Sequence, residues 1–140
     1  MSRETRWVAA AFVVSLVGVM FGGWVLLGKL TGDPAYGASP LHQDLWRAGH
    51  AHAGIFLILA LVILPWVDAA ALGSAARWYV RIAVSSASIT FPLAFFLAAP
   101  NPQVLTPTPV LALVYPGAAL LASGLLLLAW GLLRSGTASR

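Results

Sequence analysis

All three histidines of the chain fall between positions 42 and 52, and two of them sit in the run Arg47-Ala-Gly-His50-Ala-His52-Ala-Gly54. An imidazole can ligate a metal, serve as an axial ligand of haem, or pass a proton as a general acid or base. The run lies near the start of an apolar stretch at about 45–67, in which such groups are out of place. A titratable side chain in a membrane-spanning helix is costly, and by default it marks a functional site facing other protein rather than lipid.

Helical geometry limits what these residues can do together. Positions two apart diverge by about 200° on an α-helix, so His50 and His52 address different neighbours. His42 and His50 share a side but are separated by about 12 Å along the axis, too far to share one ion. A mononuclear metal site built from His42, His50 or His52 therefore needs another helix, a distorted helix start or a second subunit. Haem needs only one axial histidine, and Ala48, Gly49, Ala51, Ala53 and Gly54 leave room for a flat macrocycle. Arg47, one turn from His50, is placed to pair with a propionate. Haem b or a transition metal is the expected cofactor, with His50, His52 and Arg47 as its binding residues. A sixth haem ligand would come from His42, Met20, a histidine of a second subunit, or nowhere.

Two other readings stay open. In one, His50 or His52 is the general acid/base of a membrane enzyme, helped by Tyr115 or Ser88, acting on a lipid-soluble substrate in a cavity lined by Phe91, Phe95 or Phe96. In the other, the protein is a structural subunit and its histidines bond a nearby carbonyl or tie Tyr115 or Ser88 across the helices. His42 is expected at the outer surface, in the start of the second helix.

The elements that must position these residues follow from composition. Of 140 residues, 60% are hydrophobic and 9% charged, against about 25% charged in a soluble domain. A chain this short cannot hide so much apolar surface from water, so lipid is its expected solvent. Four apolar stretches, at about 7–28, 45–67, 78–98 and 109–133, each reach the roughly 20 residues that span a hydrocarbon core. Backbone groups find no partner in lipid, so helices are the expected form. The expectation is an all-α integral membrane protein, one domain over 1–140, folded as an antiparallel bundle of four transmembrane helices. The first stretch is read as a retained helix, because its apolar part is too long for a signal peptide.

The net charge of +4 does not indicate nucleic acid, since the basic residues stand singly at helix ends. With the N-terminus inside, Arg3, Arg6, Arg77, Arg81, Arg134 and Arg140 are on the inner side and only Lys29 and Arg47 on the outer. The positive-inside rule then puts both termini in the cytoplasm, in a multi-pass protein of the plasma (inner) membrane. Trp7, Trp66, Trp78 and Trp130 fall at the inner interface on this topology, and Trp24 and Trp46 toward the outer one. Ser39-Pro40 reads as an N-cap followed by proline in the first turn. The loop carrying Pro100, Pro102, Pro107 and Pro109 is expected to be rigid, extended, and able to cover the outer ends. Gly18 and Gly22 form a small-xxx-small pair that permits close helix contact. Expected partners are the lipid bilayer and further copies of the chain or a larger membrane complex.

The run from Arg47 to Gly54, followed by an apolar stretch, resembles the histidine-bearing helices of haem–copper-oxidase-like membrane proteins. The resemblance covers one helix of four and implies haem or metal ligation by His50 and His52. The chain has no histidine on its other helices, so oxygen reduction does not carry over. Chain length, four helices and an arginine near the start of the second also resemble the membrane-associated glutathione transferases. That likeness implies a trimer and a thiol substrate, but the Asn and Glu that follow the Arg in that family are missing.

Overall fold

A computed structural model describes residues 1–135, and these contain helices and no strand. Arg140, counted above among the inner charges, lies outside the described residues. The helices are α1 (Arg3–Gly32), the single turn α2 (Pro34–Gly37), α3 (Pro40–Ala69), α4 (Ser74–Ala98) and α5 (Val114–Ser135). Four of them, counting the stretch Pro109–Ser135 as one, are long and apolar enough to cross a membrane.

Helices α1, α3 and α4 run further than the apolar stretches, and at α1 and α2 polar side chains supply caps. Ser2 Oγ accepts the Thr5 N–H at 3.2 Å, Glu4 occupies the first turn of α1 and Lys29 the last, both matched to the helix dipole. Asp33 then ends α1 and caps α2, its Oδ1 accepting the N–H groups of Ala35 and Tyr36 at 3.0 and 3.1 Å. Ser39 and Pro40 start α3 at the position expected for an N-cap and first-turn proline, but the Ser39 hydroxyl makes no capping bond. The helix therefore begins five residues before the apolar stretch at 45. Pro109 opens a 3-10 turn over Pro109–Leu113, not the α-helix expected from 109, and regular α5 follows. Pro65 and Pro92 lie inside α3 and α4, where each removes one backbone donor without ending the helix.

Packing is uneven. The hairpin of α3 and α4 forms the core through Leu57, Ala60, Leu64, Val67, Val80, Val84 and Ala87, all buried. On its other side α4 meets α5 through small residues. A Cβ at Gly124 would lie 2.7 Å from the Ala83 Cβ, and one at Gly117 would lie 2.7 Å from Thr90 Oγ1. Close approach of this kind is how apolar helices gain van der Waals contact when lipid removes the hydrophobic drive. Helix α1 packs chiefly on α3, and Val13, Val17, Met20, Phe21 and Trp24 along it are exposed.

The ends of four helices meet in a polar knot. Arg81, only 4% exposed, donates to Asp68 Oδ1 at 2.7 Å and through Nε to Thr5 Oγ1 at 3.2 Å. The Thr5 hydroxyl donates to Asp68 Oδ1 at 3.0 Å, and the Ser2 N–H donates to Asp68 Oδ2 at 2.6 Å. Nearby, Ser135 Oγ at the end of α5 bonds the carbonyl of Ala69 and the N–H of Ala71. Asp68 thus joins the start of α1 to the α3–α4 turn, and the opposite end of the molecule carries the 99–109 loop.

Candidate functional site

Helix α3 carries all three histidines, and its rotation decides what each one meets. His42 is not at the surface, as expected from sequence, but 1% exposed. Because α3 starts at Pro40, this residue is already helical, and it points under the 99–109 loop rather than into water. Its Nδ1 donates to the Ala99 carbonyl at 2.7 Å, and Trp46 Nε1 donates to the same oxygen at 2.9 Å. Tyr36 packs edge-on against the His42 ring at 5.4 Å, and Trp46 lies 4.6 Å from it on the other side. The end of α4 has no further turn to accept from its last carbonyls, and these two donors from α3 satisfy one of them. His42 is therefore a structural clamp. His42→Leu is expected to cost roughly 1–2 kcal/mol through the lost bond, read as a lowered Tm in detergent.

His52 also faces α4, at a level deeper in the helix pair. Its Nδ1 donates to the Ala48 carbonyl one turn back at 2.7 Å. The ring stacks on Phe91 with centroids 5.7 Å apart and lies 4.8 Å from Phe95 and 5.5 Å from Phe56. Phe91 and Phe95, two of the aromatic residues expected to line a substrate cavity, instead box in this histidine, whereas Phe96 packs on Gly49 and Trp46 and, as expected, lines a cavity with His50.

His50 differs from both. Neither of its ring nitrogens hydrogen-bonds any described residue. It points at α1, where a Cβ at Gly23 would lie 3.2 Å from Nε2 and one at Gly22 would lie 3.5 Å from Nδ1. The Gly22–Gly23 pair is what lets the two helices close around the imidazole. Gly18, expected to serve the same contact, has nothing within 4 Å of where its Cβ would be. It lines open space instead. That space is a cleft of about 320 Å³ between α1, α3 and α4, with His50, Ser15, Ser88, Gly18 and Phe96 in its wall. Ligand sites usually begin near 300 Å³ and combine apolar walls with few polar groups. The cleft opens between α1 and α4, where Gly18 and Ile89 are exposed.

The structure does not bring the remaining candidates to His50. Arg47 is exposed and donates to Gln43 Oε1 at 3.0 Å. It also lies near Tyr36, whose phenol is pushed above its usual range by burial, with the Arg47 charge acting in the other direction. Tyr115, 75% exposed, lines a separate groove with Phe95, Pro107 and Thr108. Met20 is also 75% exposed and points away from the cleft wall. Among the described residues no group of three His, Cys, Asp or Glu side chains is placed to hold one metal ion.

Sequence reasoning missed the Asp68–Arg81–Thr5–Ser2 knot. The available signal was an acid closing one apolar stretch and a base one turn inside the next, joined by a short loop. No known protein family, curated protein or solved structure matches this chain. Its class is therefore defined by its own fold, that of an all-helical protein with four helices long and apolar enough to span a membrane.

Proposed function

We propose that this is a multi-pass membrane protein that binds a lipid-soluble small molecule in the cleft between α1, α3 and α4, anchored by His50. The observation that carries the reading is the His50 imidazole, unpartnered among the described residues, on the wall of a cleft open between α1 and α4. A polar ring with no protein partner in such a place is costly unless a ligand or water satisfies it. Both termini lie on the cytoplasmic side of the plasma membrane in this reading, as an antiparallel bundle. The excess of arginine near the Asp68 end supports that orientation, in which the cleft would open toward the outer leaflet. His50, with no bond to any described residue, is equipped to hydrogen-bond a carbonyl or hydroxyl and to give or take its proton.

The test is native mass spectrometry of the protein extracted in nanodiscs. A bound small molecule is expected in the unaltered chain and lost in His50→Leu, while His52→Leu retains it. Equal loading of all three proteins would overturn the reading.

Haem with a single axial histidine is a second reading, favoured by the His50 imidazole that no described residue bonds on the cleft wall; to admit iron, Nε2 must turn away from Gly23, whose Cβ position lies 3.2 Å from it. His42 is committed to Ala99 and Met20 is turned outward, so the iron would have one ligand from this chain. An absorption spectrum separates the two: a Soret band abolished by His50→Ala belongs to haem, and its absence removes that cofactor.

A further inference from the structure

The cleft at His50 does not end there. A second hollow of about 410 Å³ continues from it between α1 and α4, walled by Val8, Ala11, Trp78, Ile82 and Ser85, and the two share Phe12 and Ile89. Together they follow α4 from Phe96 to Trp78, about 27 Å at the helical rise, close to the roughly 30 Å of a hydrocarbon core.

Chemistry is distributed unequally along this groove. At the head stands one polar group free to bond, His50. Below it three hydroxyls turn back on their own helices, Ser15 Oγ donating to Ala11, Ser86 Oγ to Ala83 and Ser88 Oγ to Ser85, and only the Ser85 hydroxyl of the lower wall makes no bond to a described residue. The continuing walls therefore present mainly apolar surface. At the foot, Arg81 is occupied by Asp68. Apart from His50 itself no basic side chain lines the head, so a carboxylate or phosphate would meet a counter-charge there only with the imidazole protonated. A neutral head needs no such change. Gly18 leaves open space on α1 and Phe96 puts an aromatic ring in the wall on α4, which together suit a flat ring.

We infer that the ligand is an isoprenoid quinone, its carbonyl accepting from His50 and its single tail lying in the α1–α4 groove toward Trp78. This rests on the proposed His50-anchored cleft and adds the identity of the head and the place of the tail.

The test uses full-length protein in phosphatidylcholine nanodiscs and two photoprobes with a diazirine at the tail end, one a benzoquinone and the other a fatty acid. Labelled peptides are mapped by mass spectrometry. The quinone probe is expected to label α1 near Val8 and Ala11 and α4 near Trp78 and Ile82, and excess decylubiquinone should suppress the label. His50→Leu is expected to reduce it about tenfold, the equivalent of one hydrogen bond of roughly 1.4 kcal/mol. His50→Gln, which keeps a donor and an acceptor at that depth, should retain most of it. Labels scattered over the outward face of α1, at Val13 and Val17, would overturn the tail placement. A His50-dependent label from the fatty acid but not the quinone would overturn the head assignment and leave the His50-anchored cleft standing. If neither probe labels in a His50-dependent way, the quinone inference fails, and the co-purifying species lost in His50→Leu still decides the cleft itself.

Discussion

Asp68→Ala is expected to destabilise the protein by about 3–5 kcal/mol, the usual cost of removing one partner from a buried ion pair. The cost is this large because Arg81 stays behind, 5% exposed in its side chain and unable to reach water without moving α1. Thr5 and Ser2 lose their acceptor in the same step, so the start of α1 comes free of the α3–α4 turn. Thermal unfolding in detergent, followed by circular dichroism, measures the effect. The double change Asp68→Leu with Arg81→Leu should recover most of the loss, since an apolar pair of similar volume often replaces a buried ion pair at little cost. If the double variant is as unstable as the single one, the penalty does not come from an orphaned charge. Because α1 also walls the His50 cleft, Asp68→Ala should weaken ligand retention at temperatures where the helices themselves remain folded.

Gly124→Leu is the second large expectation. The new Cβ would fall 2.7 Å from the Ala83 Cβ, with the Ala83 and Val80 Cα atoms at 3.9 Å. An alanine methyl has no flexible end to swing aside, so α4 and α5 must separate along their contact. Overpacking of this kind costs about 1–3 kcal/mol, and the leucine branches put this case at the upper end. Gly124→Ala should cost less. Gly18→Ala, with nothing within 4 Å, should stay within about 0.5 kcal/mol of the parent. A destabilised Gly18→Ala alongside a neutral Gly124→Leu would mean that α5 does not sit on α4 as described. Thermal unfolding of the three variants side by side is the measurement.

The histidines show where sequence reading reaches its limit. The 200° between His50 and His52 is a property of any α-helix, and it correctly separates their neighbours, α1 for one and α4 for the other. It does not say which neighbour belongs to which residue. For a helix in water, the polar face would answer that. Helix α3 offers no such guide, because lipid tails are as apolar as the core, and residues facing either look alike. His42 departs from its expected surface position for a related reason. Its position before the apolar stretch suggested water, but Tyr36 and the returning end of α4 cover it, contacts 6 and 57 residues away in the chain.

Four long apolar segments, their helical form, and their ends near proline, glycine and charged residues are legible along the chain. Those follow from local facts, since a backbone without water must bond within its own helix. Tertiary structure alone decided that Asp68 and Arg81 share a buried knot with Ser2 and Thr5, that His42 and His52 are occupied, and that His50 is not. Each of those depends on which helix lies opposite, and small residues such as Gly22, Gly23, Gly49 and Gly124 set that by where they allow two helices to touch.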